Sequence, residues 1–377
     1  MAHQRTYPLL CGLLALVAWA SAHAVSPAPV GVWKGTIGAA PVIVCMTEYG
    51  AAQTYYLRHR RGIPLAPTGN SGATPEAWAK AWEVDQVELE EAGGHEGQVT
   101  GRWRLSRKSV TEISGQWTGP AGGRPTPITL AQVPTPGNND PQIPGTGCAA
   151  AYYEPIRAAV KPHSAPARFG ERAYRRLSSD QGTSFEVPPD TPHADRLNRH
   201  ALDWLRNQSV LAFDCDLNRG GPPAPLGSSL KPLAWTDQHL VMQDLVPETD
   251  CGGAHGNWSL SYSTWSLQEG RLLDTWAWLG GGQKSLVAHT GKGGRTIASG
   301  LFRLLAKAHP RNTPGDDCSE NIDGMVVNAP YPTAEGLVFS TDFSHAMRAC
   351  GDEVKLSWKQ LAPYLSEEGR TLMEGGR

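Results

Sequence analysis

The sequence predicts an α+β protein: a small all-β N-terminal domain, a meander or barrel, followed by a domain of antiparallel sheet and helices. Three observations predict it. A Gly/Trp pattern recurs among short β-prone runs, at Gly31-Val32-Trp33-Lys34-Gly35, Gly101-Arg102-Trp103 and Gly115-Gln116-Trp117-Thr118-Gly119. From Asn257 to Leu267, Trp258, Leu260 and Tyr262 alternate with Ser259, Ser261 and Ser263, the period of a half-buried antiparallel strand. Apolar residues recur at three and four through His193 to Arg206 and again through Arg295 to His309, the period of helices that pack on a sheet.

The chain opens with a positive residue, Arg5, an apolar run from Leu9 to Ala20, and Ala22-His23-Ala24, the three parts of a secretory signal peptide over 1–24. The mature chain is expected to begin near Val25. The apolar run falls well short of the ~20 residues that cross a bilayer. No later run reaches that length, so no membrane span is expected after cleavage. Residues 25–133 form the β-rich domain, with strands at Pro41 to Cys45, Thr54 to Leu57, Val84 to Leu89 and Ile128 to Leu130. Tryptophan beside glycine suits the end of a barrel, where the ring fills space and glycine admits a close backbone. Such an end is either a ligand-binding mouth or a plug. The acidic run from Glu83 to Glu96 contains no Lys or Arg and is expected to be a solvated edge. Residues 134–147, rich in Pro, Gly and Asn, have the composition of a linker, which leaves 148–377 as the second domain.

In that domain strands are expected at Thr183 to Val187, Val210 to Leu217, Leu230 to Trp235, His239 to Leu245, Asn257 to Leu267, Leu272 to Leu279 and Gly336 to Phe339. Leu197, Ala201, Leu202 and Leu205 mark the first helix, and Ile297, Leu301, Leu304, Leu305 and Ala308 the second. Strands and helices do not alternate strictly, which favours antiparallel pairing over a doubly wound sheet.

A hydrophobic content of 40% with 19% charged residues over 377 positions is that of a globular chain, not a disordered one. The net charge of −2, without basic patches interleaved by aromatics, gives no pull toward nucleic acid. Of seven cysteines Cys11 falls in the signal peptide, which leaves six: Cys45, Cys148, Cys215, Cys251, Cys318 and Cys350. An even set in an exported chain, with no Cys-x-x-Cys pair, reads as disulfides. The expected pairs are Cys45 with Cys148, Cys215 with Cys251 across neighbouring strands, and Cys318 with Cys350. No cofactor or metal is expected. Asp214, Asp216 and Asn218 have the first spacing of a calcium loop, but Arg219 stands where its glycine belongs and Pro225 where its bidentate glutamate belongs.

The second domain is organised around Cys251-Gly252-Gly253-Ala254-His255-Gly256-Asn257-Trp258, a tight crossover between strands. His255 could serve as a base oriented by Asp244, Glu248 or Asp250. No Gly-x-Ser-x-Gly or His-Glu-x-x-His motif accompanies it, so a turn histidine that holds two strands is the favoured role. From Lys284 to Arg311 there are six basic residues (Lys284, Lys292, Arg295, Arg303, Lys307 and Arg311) and no acidic one; Arg303 and Lys307 lie one turn apart on the polar side of the second helix.

Three features in this order carry a resemblance: the Gly-Gly-Ala-His element, the aromatic strand that ends Leu267-Gln268-Glu269-Gly270, and Gly336-Leu337-Val338-Phe339 before Phe343 to Gly351. Together they resemble the C-terminal domain of RsiV-type anti-sigma factors, whose extracellular part senses lysozyme. PdaC-type peptidoglycan deacetylases share this domain as an accessory module. The resemblance covers Tyr152 to Leu365. This chain departs from the family at Met347 and Arg348, where Pro and Tyr are common, and in its cysteines. The resemblance implies an exported cell-envelope protein that binds a lysozyme-like muramidase or a wall glycan without catalysis, in the periplasm or outside the cell. Its candidate binding residues are His255, Asn257, Trp258, Arg303 and Lys307, with no catalytic residue assigned. An envelope hydrolase that uses His255 with nearby carboxylates is the alternative.

Overall fold

Burial with a period of two runs through the N-terminal strands, so that each presents one face inward. The computed structural model describes residues 28–47, 52–58, 61–68, 74–83, 86–93, 98–134, 148, 150–219, 227–247, 258–280 and 297–375. The expected signal peptide, all but the first residue of the expected linker, and Cys251 to Asn257 lie outside these residues. Strands β1 (Gly31–Ile37), β2 (Ala40–Met46), β3 (Ala52–Tyr56), β4 (Arg61–Pro67), β5 (Val87–Gly93), β6 (Gln98–Arg107), β7 (Glu112–Thr118) and β8 (Thr126–Gln132) pair antiparallel in sequence order. β8 returns to β1, with Gly35 opposite Leu130, and closes the barrel. Closure removes both sheet edges, which an open meander would leave unpaired.

The barrel is filled, not hollow. Trp33, Val42, Val44, Leu89, Trp103 and Leu105 meet inside it. Helix α1 (Pro75–Ala81), in the connection from β4 to β5, adds Trp78 and Trp82 to the same cluster and plugs that end. Its start is set by Thr74, whose side chain accepts from the Ala77 N–H at 3.1 Å. The acidic run is split by strand alternation. Glu88 and Glu90 point outward to Arg104 and Arg102 at 2.7 and 3.0 Å, whereas Glu91 points inward and is 2% exposed. It is therefore not wholly a solvated edge.

Beyond residue 147 the chain first returns to the barrel. Helix α2 (Ala150–Ala159) lays Tyr152, Tyr153 and Ile156 against Val32, Ile43 and Tyr55 on the outer wall. The Cys45–Cys148 disulfide ties the start of this segment to β2. Strands β9 (His163–Phe169), β10 (Arg172–Ser179) and β11 (Gly182–Glu186) then lead into helix α3 (Ala194–Arg219). The expected strand from Val210 to Leu217 is the second half of that helix. Val210, Phe213 and Leu217 continue the helical stripe, and the barrel wall gives them a partner. Helix propensity penalises valine by a few tenths of a kcal/mol, whereas burying it contributes about 2 kcal/mol, so packing wins.

Strands β12 (Ser228–Trp235), β13 (His239–Pro247), β14 (Trp258–Ser266) and β15 (Arg271–Leu272) complete a seven-stranded sheet in the order β15-β14-β13-β12-β11-β10-β9. Every described pairing in it is antiparallel except β11 with β12. The expected strand from Leu272 to Leu279 ends almost at once. Asp274 accepts from the Trp276 N–H at 3.3 Å and starts a 3-10 turn that buries Trp276 and Trp278. One face of the sheet packs on the first half of α3 through Leu240, Met242 and Trp265.

The other face, through Val241 and Tyr262, meets a four-stranded sheet of β16 (Val326–Val327), β17 (Tyr331–Pro332), β18 (Gly336–Asp342) and β19 (Glu353–Ser357). Tyr262 and Tyr331 both donate to Glu353 Oε1, at 2.7 and 3.2 Å, and so link the two sheets. Helix α4 (Ser299–Ala308) covers the outer side of the small sheet with Leu301 and Leu305. Short helices α5 (Trp358–Leu361) and α6 (Glu367–Gly375) finish the chain. The order is thus helix, sheet, sheet, helix, an α+β architecture beside a barrel.

The long helix α3 serves both parts. A Cβ at Gly62 on β4 would stand 2.4 Å from Phe213 Cζ and 2.6 Å from Leu217 Cδ2, so any larger residue must displace the ends of these two α3 side chains. Gly62→Val is expected to lower stability by about 1 to 3 kcal/mol through overpacking. Urea denaturation measures it, and a loss within 0.5 kcal/mol, as at a free surface site, would show that the contact is loose.

Candidate ligand-binding cleft

A cleft of about 620 Å³ opens where the barrel, α2, α3 and the β10–β11 turn converge. The barrel supplies Tyr55, which faces outward because its neighbours Thr54 and Tyr56 face in. Its ring meets Phe213 of α3 edge-on, with centroids 5.3 Å apart and planes at 88°. Phe213 is in turn held by Tyr152 and Tyr153, at 6.3 and 6.5 Å. Tyr153 donates to Asp214 Oδ1 at 3.0 Å, which locks α2 to α3 beneath the cleft. Asp214 is thus a buried helix residue, not a loop ligand, and no cluster that could hold a metal occurs among the described residues.

The opposite wall is polar. Lys161 and His163 follow the end of α2, Ser178, Ser179, Asp180 and Gln181 form the end of β10 and its turn, and Ser209 comes from α3. The turn is shaped by Ser179, whose hydroxyl accepts from the Gln181 N–H at 3.3 Å. An aromatic and aliphatic floor beside hydroxyl, amide and charged groups matches a ligand with apolar faces and many hydroxyls.

Among the described residues of this cleft no nucleophile and base pair up. Ser178 donates to the backbone oxygen of His163 at 3.4 Å, not to its ring. Among the described residues, a hydroxyl meets a histidine ring at His309 and Thr341, with Nε2 and Oγ1 3.0 Å apart. There His309 Nδ1 accepts from the Arg311 N–H and Thr341 donates to the Asp352 carbonyl, so both groups are engaged in holding the chain. Burial lowers the pKa of His309, with the Asp352 carboxylate opposing that shift and the Arg311 guanidinium adding to it.

The residues singled out from sequence are not in this cleft. His255 and Asn257 lie outside the described residues, as do Glu248 and Asp250. Trp258 opens β14 opposite Pro247. Asp244 accepts from the α3 residue Trp204, Nε1 to Oδ2 at 3.0 Å, and burial raises its pKa. Arg303 and Lys307 stand exposed on α4, with no ion pair among the described residues. Sequence reasoning missed the cleft because its walls come from four separated segments, none of which forms a motif. The one legible trace was the outward position of Tyr55 in a strand whose alternate residues face in.

Two disulfides are present among the described residues, Cys45–Cys148 and Cys318–Cys350, with Cα atoms 5.9 and 5.4 Å apart. Cys215 is also disulfide-bonded; it sits on α3 and not on a strand, and its expected partner Cys251 lies outside the described residues. Among the described residues no helix is long and apolar enough to cross a membrane. Fold and cleft together define a disulfide-bonded α+β protein with a barrel, two packed sheets and a mixed apolar and polar cleft. No protein-family model and no curated protein matches the chain. A similar solved structure is a DUF3298 family protein from Pseudomonas aeruginosa PAO1, at 14% identity and a TM-score of 0.32, over 55% of this chain and 94% of that one. At that identity and score the likeness carries no functional argument.

Proposed function

We propose that this is an exported, non-catalytic binding protein of the bacterial cell envelope, periplasmic or secreted, and that its cleft holds wall glycan. The observation that carries the reading is the cleft itself, with Tyr55 and Phe213 on one side and Lys161, Asp180 and Gln181 on the other. Sugars present apolar ring faces to aromatic side chains and hydroxyls to planar polar groups, and the part-exposed Phe213, backed by the buried Tyr55, beside Asp180 and Gln181 offers both. Disulfides among the described residues accord with an oxidising compartment. The RsiV-type resemblance of Tyr152 to Leu365 supports an envelope role and supplies a second reading, a sensor for a lysozyme-like muramidase, in which His255, Asn257 and Trp258 contribute to the contact.

The test is sedimentation of the full oxidised protein with insoluble wall sacculi, alongside titration with lysozyme at low and high salt. Binding to sacculi is expected, weakened at least about tenfold by Asp180→Ala with Gln181→Ala, which removes on the order of 1.4 kcal/mol. Arg303→Glu with Lys307→Glu should leave binding intact. If that pair alone abolishes it, the ligand is an anionic polymer on α4. Salt-sensitive capture of lysozyme without sacculus binding selects the sensor reading. Absence of both at micromolar protein ends the proposal.

A further inference from the structure

A second cavity, of about 510 Å³, lies on the face of the seven-stranded sheet opposite α3, between the β12–β13 hairpin and the small sheet. Its walls are apolar: Ala234 and Val241 from the large sheet, Pro332 and Ala334 from the β17–β18 hairpin, Trp358 from α5 and Leu372 from α6. We propose that this cavity binds a small amphiphile, one apolar body of one or two rings carrying a single hydrogen-bonding head group at His239 and Gln238.

The head-group position follows from which polar groups are already engaged. The Thr236 hydroxyl accepts from the His239 and Gln238 N–H groups, at 2.9 and 3.2 Å, and donates to the His239 carbonyl. Thr333 is closed in the same way on Gly336. The Trp358 indole donates to the Ala334 carbonyl at 3.1 Å. Asp237 is paired with Arg172 at 2.6 Å, and that guanidinium also lies over the Trp235 ring. His239 differs from these. Its ring packs edge-on against Trp278, at 6.3 Å, and forms no hydrogen bond with a described residue.

His239 and Val241 are two residues apart on one strand, so the imidazole and the apolar wall share a face. A half-buried imidazole supplies one donor and one acceptor beside the apolar wall of Val241, Pro332, Trp358 and Leu372. The volume suits a molecule of one or two rings and excludes a folded segment. The site is separate from the cleft, since no residue lines both.

The experiment titrates the full oxidised chain with prodan, an environment-sensitive dye whose two fused naphthalene rings and single carbonyl acceptor are of the stated class. Saturable one-to-one binding with increased fluorescence is expected. Ala334→Trp, on the exposed rim, fills the cavity and should weaken binding at least about tenfold, as should Leu372→Trp. His239→Phe keeps the wall but removes the head-group partner, and should weaken it by about the same factor. Asp180→Ala with Gln181→Ala should leave dye binding unchanged, which separates this site from the glycan cleft. Melting curves are recorded for every variant. No saturable binding, or unchanged affinity in the filling variants that melt as wild type and in His239→Phe, overturns the proposal.

Discussion

Glu91→Leu is expected to cost the barrel about 3 to 5 kcal/mol, a large share of a domain's stability. The carboxyl group is 2% exposed and accepts from the Tyr56 hydroxyl, from Trp103 Nε1 at 2.8 Å and, more weakly, from the Thr100 hydroxyl at 3.4 Å. Burial, with the Glu91 charge, pushes the Tyr56 hydroxyl far above its ordinary pKa, so it remains a donor. Leucine fits the apolar interior but leaves those donors unpaired, and each buried orphan costs about 1 to 3 kcal/mol. There is no slack to reorganise around them. A Cβ at Gly101 opposite would stand 2.6 Å from Glu91 Oε2 and 2.2 Å from Trp117 Nε1. Glu91→Gln keeps an acceptor and should lose about half as much. Glu90→Gln breaks only the exposed pair with Arg102 and should stay within about 0.5 kcal/mol of wild type. Urea denaturation followed by tryptophan fluorescence ranks the three. Equal losses for Glu90 and Glu91 would mean that the inward network contributes nothing.

Removing the Cys45–Cys148 disulfide by double alanine substitution is expected to cost about 4 to 5 kcal/mol in the chain-entropy model. The bond closes a sequence separation of 103, against 32 for Cys318–Cys350, where the same model gives about 3 to 4 kcal/mol. Both of its cysteines are about 2% exposed, within the cluster that joins α2 to the barrel wall. Its loss frees the start of α2 as well as the unfolded chain. Denaturation midpoints of the two double variants, without reductant, should fall in that order. A loss under about 1 kcal/mol for Cys45→Ala with Cys148→Ala would show that the packing of Tyr152 and Tyr153 alone holds α2 in place.

What was legible in the sequence is what local chemistry decides. Period two in β14, the helical stripes at the start of α3 and in α4, and the Gly/Trp strands all follow from burying one face of each element, and neighbouring residues alone reveal that pattern. The bonds Cys45–Cys148 and Cys318–Cys350 were reachable from cysteine count and position along the chain. Tertiary structure decided the rest. Val210 to Leu217 has the residues of a strand and is a helix, because a barrel wall distant in sequence buries its stripe. Glu91 sits in an acidic run and points inward, because Tyr56 and Trp103 arrive there from other strands. Both cavities are assembled from separated segments, and no stretch of sequence can announce a surface that exists only once non-local contacts have formed.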